Sequence, residues 1–283
     1  MTKRRPPSPG RPPGYTPADD ARWADLRKLT AARIGLKRTG ASLATGPLLD
    51  FQLAHARARD AVHEPFDAAR LAAAFAAVFT TDLAELAAPV LSVASAAPDR
   101  QHYLMRPDLG RRLAPGAEAM LAPNAGHYDI VFVVADGLSA RAVKTHAQPV
   151  LAHALKTLRG DGWRIGPLVI VCQGRVAVGD AIAAALGADC VVVLIGERPG
   201  LTAPDSMGAY LTWQPRPQRT DADRNCISNI RPEGVGYADA AFKLVHLLRA
   251  MRVRGLSGVA LKDDSDLRLL VGSLIGGSLP GES

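Results

Sequence analysis

Cysteine, aromatic residues, histidine pairs and long apolar runs are all scarce in this chain, and each shortage removes a class of explanation. The three cysteines, Cys172, Cys190 and Cys226, form no CxxC pair and have no histidine at zinc-ligand spacing. A disulfide framework and a structural zinc site are therefore disfavoured, and a reducing cytosol suits the chain. Aromatic residues make up 5% of it, without the interleaving of aromatic and basic side chains that a base-stacking platform needs. His55, His63, His102, His127, His146, His153 and His246 are scattered, with no HxxxH or HExxH among them, so metal binding by histidine is not expected. No apolar run reaches the roughly 18–20 residues that span a bilayer. The Arg4-Arg5 pair lacks the apolar stretch of an export signal, so neither membrane nor export is expected. GxGxxG with its distal acid and the Walker A loop are also missing, which argues against NAD and ATP as ligands.

The formal net charge of +7 does not by itself imply nucleic acid. Lys3, Arg4, Arg5 and Arg11 lie in a Pro-rich leader, residues 1–16, that contains no acid, and much of the excess belongs there. Too few large apolar groups accompany the prolines for folding, so a disordered leader is expected. With 283 residues the chain can bury an ample core as one large domain, or as a core with a helical appendage.

Residues 17–88 read as a helical N-terminal region. Thr16 or Asp19 caps a segment through Arg33, Pro47 starts a second through Val62, and Pro65 opens an Ala-rich third. From Pro89 to Gly255 the text changes to short β-branched runs separated by amphipathic stretches. The runs are Val90–Val93, Ile130–Ala135, Leu168–Cys172, Cys190–Ile195 and a less regular Ala209–Trp213. Helices are expected at Ala140–Leu158, Gly179–Leu186 and Tyr237–Met251. This alternation predicts an α/β fold with a Rossmann-like, mostly parallel sheet under an N-terminal helical cap, and it is too short for a barrel. Residues 256–283, Gly- and Ser-rich around Leu269–Ile275, read as a tail of uncertain order.

Three polar turns follow strand patterns: Asp136-Gly137-Leu138-Ser139, Gln173-Gly174-Arg175-Val176 and Gly196-Glu197-Arg198-Pro199-Gly200. Parallel strands end on one edge of a sheet, so these turns are expected to converge there on a ligand. Asp136 is a candidate base or metal ligand, against the simpler reading that Ser139 caps a helix and Gly137 permits the turn. Asp129, before the strand, reads as a turn residue. Glu197 emerges from the most apolar strand and has either a ligand or an ion pair with Arg198 or Arg175 as its partner. Arg224-Asn225-Cys226-Ile227-Ser228-Asn229 surrounds one thiol in a segment of little helical or strand pattern. No base is assignable to Cys226, so a wall thiol is favoured over a nucleophile. Tyr103–Leu113 is a polar, basic insertion in which Pro107 and Asp108 open a helix whose arginines face a partner or an acidic group, against the simpler reading of a solvated helix.

Read together and in order, these segments resemble the small (light) subunit of ethanolamine ammonia-lyase. The likeness runs from Leu29–Ile34 through Arg38-Thr39-Gly40, Tyr103–Leu113, Ala135–Ser139, Gly174-Arg175-Val176, Gly196–Leu201 and Arg224–Ile230, and covers most of residues 20–255. It implies a carbon–nitrogen lyase that uses adenosylcobalamin to turn ethanolamine into acetaldehyde and ammonia by radical chemistry. A TIM-barrel large subunit would hold the substrate, as this chain has no ethanolamine site of its own. The small subunit, without catalytic residues, would close over the corrinoid in a hetero-oligomer. The chain has no D-x-H-x-x-G loop of the kind that supplies a cobalt ligand, in accord with base-on binding. Val176, Glu197 and Cys226 match the family's cobalamin contacts in residue type. The leader departs from the amphipathic segment that some relatives use for packaging, so cytoplasmic residence with or without a bacterial microcompartment stays open. Two other readings compete: a stand-alone α/β corrinoid-binding protein, and a self-contained hydrolase using Asp136 or Cys226.

Overall fold

A computed structural model describes residues 17–30, 32–39, 42–81 and 89–265. The leader at residues 1–16 and the tail from residue 266 onward, with its Leu269–Ile275 stretch, lie outside the described residues. Backbone contacts divide the chain into two units, one reaching Asp60 and including Gly200–Pro204, the other built from the remainder.

In the first unit α1 spans Pro17–Lys28, a two-residue ribbon pairs β1 (Arg38–Thr39) with β2 (Ser42–Leu43), and α2 (Thr45–His63) begins. The first helix stops at Lys28, short of the expected Arg33. Arg27 Nη1 donates to the carbonyl of Gly35 at 2.8 Å, and Arg33 Nη2 donates to that of Asp50 at 3.0 Å with its guanidinium over the Phe51 ring. Leu48, Leu49, Phe51 and Leu53 on α2 are exposed.

The second unit holds one sheet. Its strands are β3 (Val90–Ala94), β4 (Ile130–Ala135), β5 (Ile165–Cys172), β6 (Cys190–Gly196), β7 (Met207–Trp213) and β8 (Arg224–Ile230), in the spatial order β3-β5-β4-β6-β7-β8. The first four pair in parallel, while β7 pairs antiparallel with both β6 and β8 at one side. Both β4 and β6 are buried at every position, which is why they read as unbroken apolar runs. Pro167 inside β5 has no N–H for the ladder, and the register between β4 and β5 shifts there, between Ile130 and Phe132.

Helices cover both faces. On one side α3 (Ala68–Thr81), α6 (Ala140–Gly160) and α8 (Tyr237–Arg254) enclose Phe75, Phe132, Ile170, Leu194, Met207 and Leu248. After a short α4 (Arg100–Met105), α5 (Ala117–Leu121) and α7 (Val178–Leu186) cover the other face and enclose Leu121, Val133, Val171, Ile182 and Val193. The α/β, mostly parallel sheet expected from the alternating pattern is thus present. Pro107 and Asp108 open only a single 3₁₀ turn, Leu109–Arg111, rather than a helix, because the Asp108 carboxylate is engaged by Arg106 at 2.8 and 2.9 Å.

The Arg224–Asn229 segment, expected to have little strand pattern, is the edge strand β8. Cys226 pairs with Tyr210 and Ile227 with Ala209, whereas Ile230 pairs with Met207. Residues 228 and 229 therefore oppose Gly208 alone, a β-bulge with Asn229 at φ 57°. The extra residue breaks the period-2 alternation, so that Ile227 and Ile230 both face the core and the strand is hidden from pattern reading.

Candidate functional site

The helix after β4 lies on one face of the sheet and the helix after β5 on the other, so the carboxyl edge between these neighbouring strands is a topological switch point, the ordinary place for a ligand. Here the protein fills it. Asp136 follows β4, is 1% exposed, and accepts from the Gly174 N–H at 3.2 Å, while Arg100 Nη1 donates to Asp136 Oδ2 at 3.2 Å, to the Gly137 carbonyl at 2.7 Å and to Gln173 Oε1 at 3.4 Å. Nε of the same arginine donates to the Val62 carbonyl at 2.7 Å. Burial pushes the Asp136 carboxyl up to about 6, against the opposing pull of Arg100 and the turn N–H groups.

The third turn joins the same knot. Leu138 N–H donates to the Gly196 carbonyl at 2.9 Å, and Gly137 sits at φ 54° with so close an approach that a Cβ would meet that oxygen at 2.3 Å. Ser139 Oγ accepts from the Ala142 N–H and caps α6. The simple readings of Gly137 and Ser139 therefore hold, and Asp136 is a buried fastening among turns. Asp129 lies before β4, at the opposite edge, where it accepts from Arg164 and Arg252.

The Tyr103–Leu113 block packs onto the middle turn. Tyr103 donates to the Gly174 carbonyl at 3.1 Å, Arg175 N–H donates to the Gly110 carbonyl at 2.7 Å, and the Arg175 guanidinium covers the Tyr103 ring at 4.2 Å. Arg175 Nε is buried without a hydrogen-bond partner among the described residues.

Val176, Glu197 and Cys226 share one side of the sheet. Val176 is half-buried against the layer that holds α7, and Tyr210, Cys226's cross-strand partner, packs against the same layer. The Glu197 carboxylate turns back over β7 and β8, where it accepts from the Asn229 N–H at 3.2 and 3.3 Å. It thereby satisfies the amide that the bulge leaves unpaired, and among the described residues it forms no ion pair with Arg198 or Arg175. Cys226 is exposed. Its thiol is held above the usual range by removal from water, reinforced by the Glu197 charge and opposed by a hydrogen bond with Tyr210. That suits a wall and not a nucleophile.

Beneath them lies an ion pair that sequence reading missed. Arg224, at the start of β8, donates to both oxygens of Asp180 on α7 at 2.7 and 2.6 Å and to Thr212 at 2.8 Å, with the two charged side chains 1% and 2% exposed. Burial raises the Asp180 carboxyl despite its arginine. Only Asp180 in the first turn of a helix pattern hinted at it; nothing local pointed to Arg224 or Arg100.

Residues 20–262 match the family model described as ethanolamine ammonia-lyase light chain. The chain belongs to that family. An Azotobacter vinelandii protein named ethanolamine ammonia-lyase small subunit is 51% identical over 270 residues, covering 94% of this chain and 96% of its own. A Ralstonia nicotianae protein of the same name is 53% identical over 252 residues, covering 88% and 90%, and one from Pseudomonas fluorescens is 49% identical with 92% of each chain covered. Membership in the light-chain family makes this chain a subunit of an ammonia-lyase.

One face here thus offers an acceptor in the Glu197 carboxylate, an apolar contact in the Val176 side chain and an exposed thiol in Cys226. Among the described residues no group of three or more His, Cys, Asp or Glu side chains could hold a metal ion, and no helix is long and apolar enough to cross a membrane.

Proposed function

We propose that this chain is the small subunit of an adenosylcobalamin-dependent ethanolamine ammonia-lyase, which covers the base-on cofactor against the TIM-barrel large subunit. When bound, adenosylcobalamin supplies the radical chemistry by which ethanolamine becomes acetaldehyde and ammonia. The residues of this chain bind, orient and exclude water. Val176 would offer the ring an apolar side chain, while Glu197 would accept from the ring's amides with the oxygen lone pairs left over by Asn229. Cys226 stays a protonated wall beside Tyr210. A dry wall matters because water and stray hydrogen donors quench reactive intermediates.

The observation that carries the reading is the meeting of three separated segments, after β5, after β6 and within β8, on one face of the sheet in a member of the light-chain family. The large subunit as partner is supported by the exposed Leu48, Leu49, Phe51 and Leu53 on α2, apolar groups of the kind that partner surfaces carry.

The test is anaerobic ammonia release from ethanolamine with adenosylcobalamin, using this chain, its cognate large subunit and both together. Activity is expected only in the mixture, with cofactor affinity reduced about tenfold or more in Glu197→Ala, the cost of one charge-assisted hydrogen bond. A mixture no better than the large subunit alone would overturn the reading.

A further inference from the structure

A groove of about 250 Å³ lies between α6 and α8, and its lining includes His153, Thr157, Ala238, Phe242, Val245 and His246. Its apolar part is incompletely covered, for Val245 is buried while Phe242 is 39% exposed. The Phe242 ring stacks on His246 with centroids 6.4 Å apart.

The described residues end at this groove. Asp264 Oδ1 lies 2.6 Å from Nε2 of the groove-lining His246. Lys243, on the same helix, donates from Nζ to Ser265 Oγ at 3.3 Å and stands 3.9 Å from the Asp263 carboxylate. Ser265 is fully buried, and the groove and this chain segment belong to one unit.

A helix pattern opens at the same point. The Asp263 carboxylate accepts from the Ser265 N–H at 3.0 Å, the bond by which an N-cap satisfies an early helical amide. Asp264 and Asp266 supply the acids that favour a first turn. Beyond them Leu267, Leu270, Val271 and Leu274 recur at three- and four-residue spacings, an apolar stripe that calls for a partner surface. The lengths agree: Ala238 to Arg249 cover about 16 Å of α8, and Leu267–Ile275 as a helix would cover about 13 Å. The family match stops at residue 262, so this segment lies beyond what the light-chain model describes.

We propose that the groove between α6 and α8 is the docking site of this chain's own segment 266–275, whose leucines and Val271 cover Phe242 and Val245. This occupant is favoured because its first residues are already fastened to α8 through His246 and Lys243. Seating it closes only a very short loop, whereas a second copy or another protein must lose its rigid-body freedom to bind there.

Diethyl pyrocarbonate acylates accessible imidazoles, and His153, exposed on the groove wall, reports on the cover. Its rate is read by peptide mass mapping of the full chain, alone and with the large subunit, with the exposed His127 before β4 as internal reference. Leu270→Asp with Val271→Asp is expected to raise the His153 rate about tenfold, the change for a segment seated about nine-tenths of the time, because modification tracks the open population. Phe242→Ala should raise it likewise, and combining it with the tail substitutions should add nothing, since both remove one contact. Equal His153 rates in wild type and tail variant overturn the proposal. Protection that fades on dilution assigns the groove to a second copy, and protection that appears only with the large subunit and survives the tail substitutions assigns it to that partner; either result also overturns the proposal.

Discussion

Asp136 concentrates the chemistry of the sheet edge in one carboxyl. Its folded value of about 6 lies above the usual 3.8, so between those limits the folded chain keeps a proton that the unfolded chain has released. This carboxyl therefore contributes most below pH 4, and its contribution falls by at most about 3 kcal/mol as the pH rises to about 6. The urea midpoint of the wild type should decline relative to that of Asp136→Asn across that interval, and parallel curves would remove the assignment. Cys226 makes a second residue-scale case. Although exposed, its thiol is raised by loss of water and by the Glu197 charge, so alkylation by iodoacetamide at pH 8 should run roughly tenfold slower than for a free thiol. Glu197→Gln should speed it, and an unchanged rate would show that the charge does not reach the sulfur.

Between elements, two fastenings hold the site's backbone. Gly137 allows the β4 turn to press on Gly196 at a positive φ, and Gly137→Ala is expected to cost about 1–3 kcal/mol by strain and by parting the turns. The Arg224–Asp180 pair ties the start of β8 to α7. Arg224→Met leaves Asp180 buried and uncompensated, so a loss of about 3–5 kcal/mol is expected in urea unfolding, while Arg224→Met with Asp180→Leu should recover most of it. If the double variant proves as unstable as the single one, Thr212 and packing carry the element instead. The bulge at Ser228–Asn229 belongs to this scale as well, because it gives Glu197 an amide to accept and fixes its carboxylate over β7 and β8.

At the scale of the whole molecule, the large sheet is buried under helices on both faces, whereas α2 displays leucines to solvent. Such a display suits a subunit and is a liability for a chain on its own. Leu49→Lys with Leu53→Lys should weaken assembly with the large subunit in size-exclusion chromatography and shift this chain's own thermal midpoint little, since both side chains are already more than half exposed. Assembly at undiminished strength would place the partner surface elsewhere.

What the chain's text determined by itself was the part governed by unbroken patterns. Ile130–Ala135 is apolar throughout because β4 is buried on both faces, and its bounds in the structure are those read from the sequence. The helix after it was legible from Ser139 and a 3.6-residue period, and the order of polar turns was enough to suggest the family. Tertiary structure decided the rest. The edge strand β8 was hidden because a bulge destroys alternation, and two antiparallel pairings joined the parallel set because β7 returns along β6 and β8 reverses again beside it. Arg100 and Arg224 had no local signature, since their partners Asp136 and Asp180 lie 36 and 44 residues away. An arginine's role is set by the carboxylate it meets and by the water it loses, and both are properties of the folded chain alone.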